Sequence, residues 1–396
     1  MTSPNERILS RISHGELERR WRLVRHAMLE LKIDALVMQA TNDWLGGYVK
    51  WFTDLPATNG YPRTVIFHSD GPMTVIEMGP FGTSRRLDDD DLHRGVGELM
   101  HTPSFFTIGY THEYDAELAV TAMKRRGCRK IGFVGEGAMP NAFVTRVKND
   151  MAGASFTDAS EFVDRAKAIK SAEEITFIRR AAEIQDAVFA EVLAHIKPGM
   201  RDIEVTAIAQ REGQIRGSEQ GIFLGGSSPV GTRSPFVPRF MQGRTLKKGD
   251  HLSLLIEING PGGFYTEIAR TIILGRASNE LKDGFEAVRE AQEFSLSLIK
   301  PGAKCRDIHL AHNEFMERHA LPAELRLYAH GQGYDMVERP LIRSDETIKI
   351  EAGMNLAVHP GYETPSMFAV ICDNYIVGTE GVGACLHRTP KQIFEI

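Results

Sequence analysis

The chain is 396 residues long, 42% hydrophobic and 25% charged, with a formal net charge of −5. That length exceeds what one ordinary core supports, so two domains are expected. The charge leaves no basic footprint for nucleic acid, and no apolar run is long enough to span a bilayer.

The start, MTSPNERILSRISHGELERRW, lacks an apolar signal segment. Cys128, Cys305, Cys372 and Cys385 show no metal-type spacing, which predicts reduced thiols in a cytoplasmic protein. Residues 16–32 carry apolar side chains at helical spacing and predict an amphipathic helix. IDALVMQA, TVIFHS, MTVIEMG and KIGFVGEG then predict short strands separated by turns rich in Gly, Pro and Asp. This first part reads as an α/β domain. Around residues 164–180 the chain becomes charged and helical, which places a boundary between residues 1–165 and 166–396.

The second part contains an internal echo. IKPGMRDIEV at 196–205 returns as IKPGAKCRDIHL at 299–310, each after a long amphipathic helix, with Lys197 matching Lys300. A helix stop followed by Pro-Gly is ordinary chemistry. The shared Asp-Ile pair and matching upstream helices point further, to a duplicated α/β unit. Strands are predicted at HLSLLIEI, GFYTEIARTIILG, MNLAVHP and FAVICDNYIVG, and the whole chain is expected to be α/β (α+β).

Reactive side chains concentrate on those strands. In HLSLLIEINGPGGFYTEIARTI the Gly-rich turn predicts a hairpin pairing Ile258 with Phe264 and Leu255 with Glu267. Glu257 and Glu267 then share a face with Leu255 and Tyr265. Acids on a solvated sheet face are common, but this segment is too apolar for a wet surface. Paired acids in such a place serve metal binding or proton transfer. MNLAVHPGY puts Asn355, Ala357 and His359 on one face; FAVICDNYIVG, read as one strand, does the same for Phe368, Val370, Cys372 and Asn374. A lone histidine or cysteine there is core filling, whereas His359, Cys372 and two glutamates together form a ligand or nucleophile set.

Four stretches carry a resemblance: Gly249 and Asp250 before the first strand, TEIART at 266–271, HGQG at 330–333 and EAGMNLAVHPGY. The second part resembles the pita-bread fold shared by methionine aminopeptidase, proline-specific aminopeptidase, prolidase and creatinase. The first part resembles the creatinase/prolidase N-terminal domain, so the resemblance spans the chain. In the peptidases two aspartates, a histidine and two glutamates hold a dinuclear centre. The resemblance places those positions on Leu255, Glu267, Tyr334, His359 and Cys372, so the peptidase ligand set is not kept. A dimethylsulfoniopropionate-lyase-like branch is similar in having an acid where Glu257 stands and the histidine of HGxG, here His330. Creatinase cleaves a C–N bond without any metal.

The expectation that follows is a metal-independent, creatinase-like hydrolase. Its substrate would be a small carboxylate-bearing metabolite with a non-peptide amide, cyclic amide or guanidino/amidine C–N bond. Glu257 or Glu267 would be base or nucleophile and His330 the acid; Cys372 with His359 would be a second nucleophile pair. Arg233 and Arg239, in a Gly/Pro-rich loop with Arg244, suit a carboxylate. Tyr265 and Tyr334 would line the pocket, and Trp44 and Trp51 would wall it from the partner of a homodimer, as the resemblance implies. No cofactor is expected on this reading. The alternative is one zinc or iron ion held by Glu267, His359, Cys372, Glu257 and His330, giving a metal-dependent hydrolase or lyase. A non-catalytic binding module comes third.

Overall fold

The computed structural model describes residues 10–88 and 90–396. The chain divides into two compact units, Arg11–Lys167 and Ala168–Ile396.

The first unit opens with the helix the apolar spacing predicts, α1 (His14–Leu31). The Ser13 side chain accepts the Glu16 N–H at its start, and Lys32 ends it in the left-handed region. Helices α2 (Gly47–Thr53), α3 (His112–Arg125), α4 (Asn141–Asp150) and α5 (Ser160–Ala168) follow. Their sheet comprises β1 (Ala35–Ala40), β2 (Arg63–His68), β3 (Met73–Met78), β4 (Ser84–Arg86), β5 (Val96–Thr102), β6 (Lys130–Phe133) and β7 (Ser155–Asp158). The order is β4-β5-β3-β2-β1-β6-β7, mixing parallel and antiparallel pairs.

In the second unit the charged stretch after residue 164 is not one helix. It breaks after α5 and restarts as α6 (Ala172–His195), where Ser171 and Glu174 form a reciprocal capping box. The IKPG echo is visible in three dimensions. α6 passes through the first IKPG into α7 (Asp202–Ile215), then into β8 (Gly221–Pro229), β9 (Asp250–Asn259) and β10 (Tyr265–Ile273). The second copy runs from α8 (Asn279–Leu298) through IKPG to α9 (Cys305–Arg318). Its strands are β11 (Ala329–Gly331), β12 (Glu338–Leu341), β13 (Asn355–Val358), β14 (Gly361–Glu363), β15 (Phe368–Val370), β16 (Asp373–Val377) and β17 (Val382–Cys385). A short β18 (Phe394–Glu395) returns to β10. One sheet has the order β18-β10-β9-β8 and the other β12-β11-β13-β16-β17.

Each copy buries its helices against its own sheet. Val188, Phe189 and Val192 of α6 pack with Leu254, Ile256 and Ile258 of β9. In the second copy Ile308 of α9 packs with Leu356 and Val358 of β13 and with Tyr375. Each such fully buried aliphatic side chain stabilises the unit by about 1.5–3 kcal/mol. The sheets meet at one bridge, where Ala269 and Cys372 exchange backbone hydrogen bonds of 3.3 and 3.4 Å. That junction explains why FAVICDNYIVG is two strands rather than one: the chain leaves β15, bends at Ile371 and Cys372 to reach Ala269, and enters β16.

Candidate active site

β9 and β10 form the hairpin, but with pairing moved by one residue at the turn. Asn259 pairs with Tyr265, which sets Glu257 directly opposite Glu267 and Leu255 opposite Ala269. Gly262 and Gly263, at φ +93° and +85°, form the turn between the strands, a backbone that other residues resist. The register sum changes by two, so the shared face survives while the neighbours change. The two acids are closer than the expected pairing implied.

Three further groups arrive from the second sheet. His330 lies on β11, paired with Ala357 of β13, and His359 follows β13 with its N–H on the Tyr328 carbonyl. The His330 ring shares an Nδ1–Gly331 carbonyl hydrogen bond of 2.9 Å, and its Nε2 stands 3.8 Å from Glu267 Oε2. With Nδ1 donating to that carbonyl, the Nε2 lone pair faces Glu267, the arrangement that orients a metal-ligating histidine. The two imidazoles lie edge to face at 5.1 Å. His359 Nε2 is buried with no hydrogen-bond partner. One donor atom from each of Glu267, His330 and His359 lies within 4.8 Å of the others. The Cys372 thiol, at the sheet junction, donates to Glu267 Oε1 at 3.1 Å.

Burial sets the electrostatics. It raises the Glu257 carboxyl well above the usual range, and the facing Glu267 adds to the effect. Burial, then the Glu267 carboxylate, pushes the Cys372 thiol well up, so it is a protonated donor and not a thiolate nucleophile. Burial lowers His359 to about 4. A neutral imidazole with an orphaned nitrogen, beside a carboxylate and a second imidazole, fits a divalent cation. The residues present therefore fit a metal, one ion across the three grouped donors, with Cys372 and Glu257 at its edge.

Behind the site lies an ion pair that the sequence reading did not single out. Arg270, fully buried, donates to Asp373 Oδ1 at 2.7 Å and to the carbonyls of Ala269, Cys372, Thr389 and Pro390 at 2.8–3.0 Å. Burial alone would raise the Asp373 carboxyl, but Arg270 and His387 hold it down at about 2. This pair clamps the Cys372 backbone. Its signal was present in TEIART and in CD, an arginine and an aspartate on otherwise apolar strands.

Other expected contacts are corrected. Tyr334 is outside the donor cluster, stacked on Phe264 at 4.2 Å between centroids, and His330 occupies the cluster instead. The HGQG strand turns away after Gly333, whose carbonyl accepts the Tyr265 N–H. Tyr265 is fully buried on β10. Arg233 is committed to Glu363 at 2.7 Å, and Arg239 sits exposed on a short turn. Trp51 is a core residue of the first unit, edge to face with Phe52 and under Arg20, rather than a pocket wall. Trp44 lies half-buried in the bend before α2. Leu255 joins Ala269, Cys372, Ile222, Leu224 and Phe236 in an apolar cluster flanking the acids.

Comparison with known proteins bears on the chemistry. The sequence pattern of metallopeptidase family M24 matches residues 176–380. An uncharacterized peptidase of Bacillus subtilis, YqhT, is 26% identical over 67% of this chain and 75% of its own length. The Xaa-Pro dipeptidase of Pyrococcus furiosus is 24% identical over 65% of this chain and 74% of its own. In structure, the Xaa-Pro dipeptidase from Bacillus anthracis superposes with a TM-score of 0.74 at 21% identity, covering 96% of this chain and all of that one. The pita-bread architecture is thereby established. These relatives are peptidases, which overturns the expectation of a creatinase-like hydrolase of non-peptide C–N bonds. The replaced ligands had suggested that departure.

Proposed function

The chain belongs to metallopeptidase family M24, and from that premise we propose that it hydrolyses the peptide bond of short peptides, Xaa-Pro dipeptides foremost, at a centre built for one metal ion. The observation that carries this is the orphaned His359 Nε2 grouped with Glu267 and His330 within 4.8 Å. Oxygen, nitrogen and sulfur donors in one shell favour zinc or iron over manganese or calcium.

Glu267, His330 and His359 would hold the ion, with the Cys372 sulfur as a fourth donor. When bound, the ion supplies Lewis-acid polarisation of the scissile carbonyl and a lowered pKa for water. The chain's own residues do the rest. Glu257, whose Oε1 accepts the Gln332 amide at 2.7 Å, has its other oxygen left to take a proton from attacking water and return it to the leaving nitrogen. Leu255, Ile222, Leu224 and Phe236 keep water from one side of the acids, which strengthens every charge interaction there.

The test is elemental analysis of purified protein with turnover of Xaa-Pro dipeptides before and after chelation. The expected result is about one ion per chain, activity lost to chelator and restored by zinc or iron(II). Full turnover in chelator, or a loaded protein that cleaves no short peptide, would overturn the reading.

A further inference from the structure

Glu257 and Glu267 are linked by a chain of buried amides. The Glu267 backbone N–H donates to Asn374 Oδ1 at 2.7 Å. Asn374 Nδ2 donates to Gln332 Oε1 at 2.8 Å, and Gln332 Nε2 donates to Glu257 Oε1 at 2.7 Å. Asn355 secures the middle of the chain: its Nδ2 donates to the Gln332 carbonyl at 3.0 Å, and its carbonyl accepts the Gln332 N–H at 3.1 Å. Gln332, Asn355 and Asn374 are at most 1% exposed.

A side-chain amide has one accepting end and one donating end, so fixing one end fixes the other. The Glu267 N–H can only donate. It therefore turns Asn374 Oδ1 toward itself and Nδ2 toward Gln332. Gln332 must then present its oxygen to Asn374 and its N–H to Glu257. One backbone proton sets the direction of every link. Among the described residues Gln332 is the one hydrogen-bond donor to Glu257. The backbone on either side of it is closely packed. A side chain at Gly331 would meet the Arg339 carbonyl at 2.5 Å, and one at Gly333 would meet Glu338 Oε2 at 2.5 Å.

We propose that Gln332 is a positioning residue, the last link of an amide relay that fixes which oxygen of Glu257 faces the metal-binding side of the site. The proposal rests on the single-ion reading above. Glu257 would otherwise be free to rotate about its side-chain torsions beside the apolar wall. With the relay intact, its second oxygen is held ready and its first is occupied.

The experiment titrates the apo-protein with cobalt(II) alone and reads affinity and visible absorption. Wild type, Gln332→Met, Glu257→Met and the double variant form a cycle. Gln332→Met should weaken cobalt binding 10–100-fold and shift the cobalt absorption, as loss of an outer-shell partner does. The double variant should bind no more weakly than Glu257→Met, because the first change acts only through the carboxylate of Glu257. Additive losses, or Gln332→Met with wild-type affinity and spectrum, would overturn the relay. If Gln332→Met does not fold, Gln332→Asn keeps the amide one methylene short of Glu257 and takes its place in the cycle. Wild type that takes up neither cobalt nor zinc removes the single-ion reading and the relay's role with it; wild type that binds while losses add removes the relay alone.

Discussion

Replacing Glu257 with Gln should stabilise the metal-free protein while weakening its metal binding. The direct pairing of Glu257 with Glu267 across β9 and β10 puts their Cβ atoms about 5 Å apart. At an effective dielectric near 20, two ionised carboxylates at that separation repel by about 3 kcal/mol. The raised Glu257 pKa records this penalty together with burial. A folded value above the unfolded one means that stability is complete below about pH 4.5 and falls as pH rises toward the folded value. Gln removes the penalty and keeps the Gln332 contact, since its Oε1 still accepts. For a unit of this length 1 kcal/mol moves Tm by roughly 2–4 °C, so Glu257→Gln at pH 8 in chelator should melt roughly 6–12 °C higher. Added zinc should then raise the wild-type Tm more than the variant's. The assay is thermal unfolding with and without chelator. A lower Tm for Glu257→Gln in chelator would show that Glu257 is held ionised by a favourable partner, and the paired-acid account would fall.

Asp115 offers a pH test in the first unit. Burial raises it to about 7, its oxygens meet no partner at ordinary distance, and the nearby Ser104 hydroxyl offsets this only in part. Stability should fall by about 3 kcal/mol between pH 4 and 7 from this group alone, and Asp115→Asn should flatten that slope in denaturant titrations; an unchanged slope would remove Asp115 as its source. Arg270→Met strands Asp373 with only His387 beside it and should cost about 3–5 kcal/mol, with weaker metal uptake because the Cys372 carbonyl is released. A melt within a degree of wild type would contradict that. Cys372→Ser should abolish any thiolate-to-metal absorption of cobalt-loaded protein; wild type without that band would take Cys372 out of the shell.

Residue types and strand alternation were enough to nominate Glu257, Glu267, His330, His359 and Cys372 from the sequence, because acids, imidazoles and a thiol on otherwise apolar strands have few bland uses. The repeated IKPG likewise exposed the duplication. Register was harder to read: the turn residues allow the hairpin to close at either of two neighbouring pairs, and only packing of the whole sheet selects Asn259 with Tyr265. Tyr334 was misplaced for a related reason, since the spacing of HGQGY does not reveal where the chain leaves its strand. Gln332 gave almost no signal. A glutamine between glycines reads as loop material, and its role exists only once Asn374, 42 residues downstream, is folded against it.

The meeting of the two sheets at Ala269 and Cys372 has an evolutionary consequence. The first copy contributes only carboxylates to the pocket, and the second contributes both imidazoles and the thiol. Neither copy holds a complete coordination shell, so selection on the ancestral pair would act on their seam. Substitutions on one side can then alter ion preference while the other side preserves the scaffold, letting a lineage exchange metals by small steps without passing through an unfolded form.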